Sequence, residues 1–492
     1  MKPMPNSHPE ICAEADASVA RVHELVKGDP LRPMFHVTAA GRFINDPNGP
    51  IYFNGLYHLF FQHLPYYQTE TQTGPGWGHV VSPDLVHWSH WPIALMPVPG
   101  TPDAAACASG ACVINNDGVP TIVYTSVPPQ AQSLATSTDG LRTWKKYDGN
   151  PVIPAPPNVK DLEEGFRDPF VWKEGSLWHM AVGSGVKNAG GTILLYRSLD
   201  LIHWDYANQL CTGMDPDCFQ WECPNFFQLG DRHVLIVSPL YHSLPALRGP
   251  VQYTVGEYRD GKLTPGPWSP LDLGEPESFY APNSIVDPRG RRILWGWIAV
   301  NGSPGYPWHG AITLPRILAM HQDGSLGMAP APELAALRGQ YWQFENCSLE
   351  KPSAHSLSTV RGNCLEILAS IEMGSDAIAG LDVLADSNFG QYTAIRFNHP
   401  QGLVQVGDRT GAFRLNDGDA TIQLHLFIDR SVLELFINDR ICFTAQAHPP
   451  PGSQGIRLIV EKGSAVFKKL EIWEMHSIWK EADGSEKTLP SD

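Results

Sequence analysis

Five segments of this chain share one pattern: NDPNGPIYFNGLYHLFFQ from Asn45, SGACVINNDGVPTIVYTS from Ser109, RDPFVWKEGSLWHMAVGS from Arg167, ECPNFFQLGDRHVLIVSP from Glu222 and APNSIVDPRGRRILWGWI from Ala281. Each reads as strand, tight turn, strand, with turns centred on Gly55, Gly118, Gly175, Gly230 and Gly290. Asn-Gly or Asp-Gly ahead of a β-branched and aromatic run is a strong hairpin signal, because the turn needs left-handed backbone that glycine adopts freely. Successive glycines lie 55 to 63 residues apart. A unit of that length holds more than one hairpin, as a β-propeller blade requires. A second repeat follows the first in the early units: SPDLVHW ending at Trp88, STDGLRTW at Trp144 and SLDLIHW at Trp204. Its Ser/Asp pair suits a turn whose side chains bond their own backbone, and its Trp is expected to pack between neighbouring sheets.

The array leaves room for a second domain in a chain of 492 residues. We divide it into an N-terminal extension (1–30) with a short amphipathic helix over Ser18 to Lys27, a propeller (31–328), a helical linker (329–340), a β-sandwich (341–478) and a polar tail (479–492). The linker helix is expected in APAPELAALRGQYWQF, capped near Gly339. The sandwich follows from period-two runs such as TIQLHLFIDRSVLELFIN and GIRLIVEKG. Within it, Asp429, Glu434 and Asp439 sit in a strand-turn-strand context that favours surface or turn roles.

Forty-four Pro and 45 Gly argue for short strands and turns, so the class is mostly β. A formal net charge of -16 excludes nucleic acid and anionic membrane as partners, since phosphate backbones need clustered Lys and Arg. A neutral small-molecule substrate fits better. No signal-peptide-like or bilayer-length apolar run is seen, and nine Cys without a dense framework point to a reducing, cytoplasmic setting. Cys211, Cys218 and Cys223 lack metal-ligand spacing and are expected to be buried thiols.

The innermost strand of each propeller blade faces the central channel, so residues at its start converge at one end. Asp46, Asp168 and Glu222 hold that position in the first, third and fourth units; Ser109 and the stretch Tyr280 to Asn283 hold it in the second and fifth. Alone, NDPNG or RDP reads as a turn and WEC as a buried paired acid. Three acids in register point to an active site, because converging carboxylates raise one another's pKa with no structural gain. A paired nucleophile and general acid are the usual equipment for glycoside hydrolysis. Glu222, near Trp221, Phe226 and Phe227, is expected to be desolvated and neutral. Asp46, among Asn45, Asn48 and Gly49, is expected to stay ionised, and Asp168 to be held anionic by Arg167.

At these residues the chain resembles glycoside hydrolase family 32, the invertase, inulinase and fructan-hydrolase group. The resemblance runs from RPMFH at Arg32 through NDPNG, FFQ, WGHVVSPDLVHW, FRDPF, WECP and LPR to DRSVLELF and EIWEM ending at Met475. It implies an all-β architecture, a five-bladed β-propeller followed by a C-terminal β-sandwich, and a retaining double displacement without metal or cofactor. Matched residue by residue, it implies Asp46 as nucleophile, Asp168 as transition-state stabiliser and Glu222 as acid/base. Asn45, Gln62, Ser109 and Arg167 become fructosyl contacts, with Trp77 and His79 as pocket-lining candidates and core packing an alternative for Trp77. Three departures stand out: HLPYYQTETQTGPG from His63 lacks a Trp that family members place there, with Tyr66 or Tyr67 as substitutes, Asn225 replaces an Asp, and Ala111 replaces a Ser. The expected function is release of terminal β-D-fructofuranosyl units from sucrose or short fructans. A fructosyltransferase using the same intermediate and a non-catalytic carbohydrate-binding propeller are the alternatives. The expected partner is a fructoside, and oligomeric state is left open.

Overall fold

The structure, a computed structural model, describes residues 7–479 except 72, 164, 245, 351 and 417. The chain is built almost wholly of strands. Three meanders form separate four-stranded sheets, beginning with Ala106–Ile114, Arg167–Glu174 and Cys218–Leu229. A nine-stranded sheet joins the first hairpin unit to the last, through a parallel pairing of Arg42 with Trp308 and Phe43 with His309. The first strand of each unit is Arg42–Phe53, Ala106–Ile114, Arg167–Glu174, Cys218–Leu229 and Tyr280–Val286. These inner strands touch one another in a closed sequence, first to second, third, fourth, fifth and back to first. Together they line a cavity of about 750 Å³, with residues from Gly49 to Tyr52, Ala111 to Ile114, Phe170 to Glu174, Phe226 to Gln228 and Asn283 to Val286. The arrangement is a propeller followed by a sandwich of two six-stranded sheets.

The turn glycines behave as the repeat predicts. Gly55, Gly118, Gly175, Gly230 and Gly290 all have positive φ, and a Cβ on any of them would meet open space, so conformation and not crowding selects the residue. Trp88 and Trp144 are buried between sheets, and the Trp88 and Trp204 indoles donate to Leu85 O (3.1 Å) and Leu201 O (2.7 Å) in their own turns.

The helices differ from expectation. The N-terminal helix spans His8–Lys27, starting ten residues before Ser18, because its inner face is made partly of the small residues Cys12, Ala15 and Ser18, whose periodicity is faint. Ser7 caps it, its N–H donating to Glu10 Oε2 at 3.2 Å. The linker is one short 3₁₀ helix, Pro332–Leu337, anchored by buried Leu334 and Leu337. Gly339, expected as its cap, lies in the strand Arg338–Glu350. The proposed tail from residue 480 onward lies outside the described residues. Among the described residues no helix is long and apolar enough to cross a membrane.

The largest correction concerns the sandwich acids. Asp439 is an exposed turn residue, but Asp429 and Glu434 are fully buried between the domains. Asp429 accepts from the Met34, Phe35 and His36 N–H groups (2.7, 2.7 and 3.0 Å) and from His36 Nδ1 (2.8 Å). Glu434 accepts from His36 Nε2 (3.0 Å), Leu314 N–H (2.7 Å) and Arg316 Nη2 (2.6 Å). Arg316 also pairs with Asp272 (2.7 Å) and donates to Thr444 Oγ1 (2.6 Å). The MFH, LPR and DRSVLELF segments are thus one polar lock, and every charge in it has a partner.

Candidate active site

Each inner strand carries a β-bulge near its start, where two residues face one on the neighbouring strand. The bulged pairs are Asn45-Asp46, Ala108-Ser109, Asp168-Pro169, Cys223-Pro224 and Ala281-Pro282. Proline follows or fills four of these bulges because it has no N–H for the ladder. Asp168, Cys223 and Ala281 have positive φ, at 61°, 46° and 48°. A bulge re-aims the side chain beside it, so local backbone irregularity at equivalent sites turns several side chains toward a common centre.

The structure brings the predicted acids together. Asp46 accepts from Ser109 Oγ at 2.6 Å and from Asn45 Nδ2 at 2.9 Å. The Cys223 sulfur lies 3.6 Å from both Asp46 Oδ2 and Asp168 Oδ2, tying the acids of the first and third units to the fourth inner strand. Asp168 accepts the Cys223 N–H at 3.1 Å, and its own N–H donates to Thr125 Oγ1 at 2.9 Å. Arg167, expected beside Asp168 and as a fructosyl contact, also reaches the third acid: its guanidinium spans Asp168 (3.4 Å) and Glu222 (3.3 Å). The Tyr280 hydroxyl donates to Glu222 Oε2 at 3.0 Å.

Electrostatics separate the groups. Burial, reinforced by Asp168 and Asp46 and opposed by Arg167, pushes Glu222 up to about 7, consistent with the neutral form expected from its aromatic neighbours. Asp46 departs from expectation. Its two hydrogen bonds stabilise the anion, yet burial and the Asp168 charge outweigh them and raise its pKa. Burial and the same carboxylates hold the Cys223 thiol protonated, well above the usual thiol range.

The remaining candidates divide. Gln62 is buried, its Nε2 donating to Cys107 O at 3.0 Å, and in the orientation that satisfies both ends of its amide Asn48 accepts from Gln62 Nε2 (2.8 Å) and donates to Ser109 Oγ (3.3 Å). Trp77, expected as a substrate contact, is fully buried, and its indole donates to Ala108 O at 3.0 Å. It braces the bulge that carries Ser109 from the core side. His79 is likewise buried, stacked on Phe60 at 4.2 Å. Asn225 donates to Cys223 O (3.2 Å) and Pro282 O (2.8 Å) and accepts from Ser284 Oγ (2.9 Å). Two carbonyls face its amide, so an aspartate there would have to be protonated. Ala111 sits in an apolar cluster. Of the two tyrosines, Tyr67 packs against Phe43 (5.4 Å), while Tyr66 packs against the cluster of Cys12, Ala15, Ile93 and Met96 beneath the N-terminal helix. Tyr280 and Cys223 had no assigned role in the sequence reading. Tyr280 stands immediately before the fifth bulge, as Glu222 stands before the fourth, and that register is the signal that finds it.

The chain as a whole has counterparts among known proteins. The chain is 32% identical to a sucrose-6-phosphate hydrolase of Escherichia coli, covering 94% of this chain and 98% of the relative. It is 31% identical to a raffinose invertase of Escherichia coli, covering 91% and 96%. A GH32 β-fructofuranosidase of Bombyx mori superposes with a TM-score of 0.78 at 27% identity, covering 95% of this chain and 99% of that one. Residues 36–330 match the glycosyl hydrolases family 32 N-terminal domain and residues 333–474 the family 32 C-terminal domain, and the chain belongs to glycoside hydrolase family 32.

Proposed function

We propose that Asp46 is the nucleophile, Glu222 the acid/base and Asp168 the transition-state stabiliser in retaining hydrolysis of terminal β-D-fructofuranosides such as sucrose and short fructans. The protein is a glycosidase that releases fructosyl units. One observation supports these roles above the rest: Glu222, raised to about 7 by burial and by its fellow carboxylates, has a proton to give, while Ser109 and Asn45 both donate hydrogen bonds to the Asp46 carboxylate.

In the first step an Asp46 oxygen attacks C2 of the fructosyl unit, the glycosidic C–O bond breaks, and Glu222 gives its proton to the departing oxygen. Asp168 stays outside the bonding changes and offsets the positive charge that develops at C2 and the ring oxygen. In the second step the Glu222 carboxylate takes a proton from water, whose oxygen attacks C2. The ester bond breaks, fructose leaves, and Asp46 returns as carboxylate. Arg167 helps Glu222 to carry its charge between the two steps, and Tyr280 does the same through its hydroxyl. Ser109 and Asn45 orient Asp46. Gln62 lies behind them, and Trp77 acts as support instead of sugar contact.

We also read five blades, treating the nine-stranded sheet as the first and last blades joined, with a catalytic unit over 31–328 and a sandwich over 341–478. The closed sequence of inner-strand contacts supports that count. Asp46→Asn and Glu222→Gln are each expected to lower fructose release from sucrose by about 10³-fold or more, with unaltered circular dichroism. Turnover within tenfold of the parent in either variant contradicts the assignment.

A further inference from the structure

The inner strands bring the catalytic groups together at their starts, and their opposite ends enclose the cavity of about 750 Å³. Asp46, Asp168, Glu222 and Tyr280 are not among its walls. Along the first inner strand Tyr52, at the cavity, follows Asp46 by six residues, a span of at most about 20 Å at roughly 3.3 Å per residue. Between the two ends the Asn283 amide donates to Gly110 O at 3.1 Å, which ties the fifth inner strand to the second. The volume lies in the range of sites that hold a small organic molecule. Part of the wall is aromatic: the Phe226 ring centre has that of Trp172 at 5.3 Å and that of Tyr258 at 5.0 Å.

Arg292 lines this cavity from the fifth unit. Its guanidinium carbon lies 4.2 Å over the Phe227 ring, and its Nε is buried without a partner. Among the described residues no carboxylate or carbonyl accepts from its terminal nitrogens. The other charges on the walls, Lys173 and Glu174, are both engaged: Lys173 Nζ donates to Asn116 Oδ1 (2.7 Å), and Glu174 Oε1 accepts from Trp172 Nε1 (2.7 Å). Burial lowers the Arg292 pKa to about 10, whereas Arg167 and Arg316, also withdrawn from water, are raised by the carboxylates that face them. A ring face offsets part of the cost of desolvating a cation, but it leaves the N–H donors of a guanidinium without acceptors. Such a cation is costly unless something else brings the negative charge.

We infer that the cavity is a second ligand site, separate from the catalytic centre, in which Arg292 binds the oxyanion of a small organic acid or phosphate ester and the aromatic wall holds its body. A guanidinium presents a planar fork that fits two oxygens of either group, so the shared chemistry is the oxyanion. Arg292 stands in the second strand of the fifth unit with its head on a ring of the fourth, so an anion there neutralises an unpaired charge at the seam between two units. The overall charge of -16 does not oppose this chemistry. Surface charges beyond roughly 8–10 Å are screened at physiological salt, so the local guanidinium decides.

Calorimetric titration of the full-length protein at about 0.15 M salt, with phenyl phosphate, benzoate and inorganic phosphate as probes, tests the site. The parent is expected to bind phenyl phosphate or benzoate with a Kd below about 1 mM, and the tighter of the two identifies the ligand as a phosphate ester or a carboxylic acid. Inorganic phosphate should bind at least tenfold more weakly than phenyl phosphate, because it has no body to lay on the wall. Arg292→Gln should weaken binding at least tenfold, and Arg292→Lys less, since lysine keeps the charge without the fork. Arg248 supplies the control, because its guanidinium carbon lies beside the catalytic groups, 5.4 Å from the Tyr280 ring centre. Arg248→Gln should bind the probes as the parent does, and saturating fructose should not displace them. Loss of binding in Arg248→Gln, or displacement by fructose, would put the anion in the catalytic pocket and overturn the inference. So would a parent that binds neither organic probe, inorganic phosphate that binds as tightly as phenyl phosphate, or undiminished affinity in Arg292→Gln. The fructose competition needs the parent alone, so the inference stays open to refutation if Arg292→Gln folds poorly.

Discussion

Glu222 shows how far a single residue could be read in the sequence. Its aromatic neighbours Trp221 and Phe226 announced desolvation, and its pKa near 7 reflects burial first. Asp46 is less legible, because neighbouring Asn residues suggest solvation, whereas its burial, and the Asp168 charge that adds to it from another unit, have no local signature. These shifts fix the direction of the pH response. Glu222 must be protonated to act as acid, so kcat/KM for sucrose is expected to fall as pH rises through about 7, while the acid limb follows Asp46 upward from the ordinary carboxylate range. The Tyr280 hydroxyl favours the Glu222 anion, so Tyr280→Phe should move the alkaline limb to higher pH and lower kcat by roughly tenfold through loss of one charge-assisted hydrogen bond. A pH–rate profile checks both the shift and its sign. An alkaline limb that stays in place in Tyr280→Phe excludes that hydrogen bond as a determinant.

At the scale of the element, the hairpins were legible because glycine turns and β-branched runs are local signals, whereas the bulges were not. A bulge is a mismatch between two strands, and only the pairing shows that Asp168-Pro169 faces Val182 alone. The prolines after Asp46, Asp168, Cys223 and Ala281 are the trace that sequence retains of it. The same distinction separates two glycines of the first inner hairpin. Gly55 needs positive φ but faces open space, so Gly55→Ala is expected to cost about 1 kcal/mol of backbone strain and leave turnover intact. Gly49 has φ +41°, and a Cβ there would stand 2.8 Å from Cys112 N on the second inner strand. Gly49→Ala is expected to cost about 2–4 kcal/mol, by strain and overpacking together, and to lower kcat by misplacing Asp46 against Ser109. Thermal unfolding beside sucrose turnover tests the pair. Equal effects of the two substitutions would show that contact between the inner strands does not position Asp46.

For the whole molecule, the sequence shows two domains' worth of strands but favours surface or turn roles for Asp429 and Glu434, since nothing local reveals that a strand end will be covered by a segment nearly 400 residues away. The lock that joins the domains consists of four buried charges, Asp429, Glu434, Arg316 and Asp272, around His36. Opposed by burial but driven by hydrogen bonds to Asp429 and Glu434, His36 is raised to about 9. Its unfolded pKa is near 6.5, so the stability it contributes, on the order of 3 kcal/mol, is fully present below about pH 6.5 and lost as pH rises through 9. Glu434 has the opposite sign. Its folded pKa is lowered, so its contribution is present above about pH 4.5, the usual carboxylate value, and lost as pH falls through the folded one. Stability is therefore expected to be greatest between those limits and to decline more steeply on the alkaline side than in His36→Gln, which has no such proton to lose. Arg316→Met leaves Glu434 and Asp272 buried without their cation, and is expected to cost about 3–5 kcal/mol. Urea unfolding at pH 6 and pH 9.5 distinguishes these contributions: the parent and His36→Gln should converge at the higher pH, and Arg316→Met should be destabilised at both. If the gap between the parent and His36→Gln is as wide at pH 9.5 as at pH 6, the charge on His36 is not what couples the sandwich to the propeller.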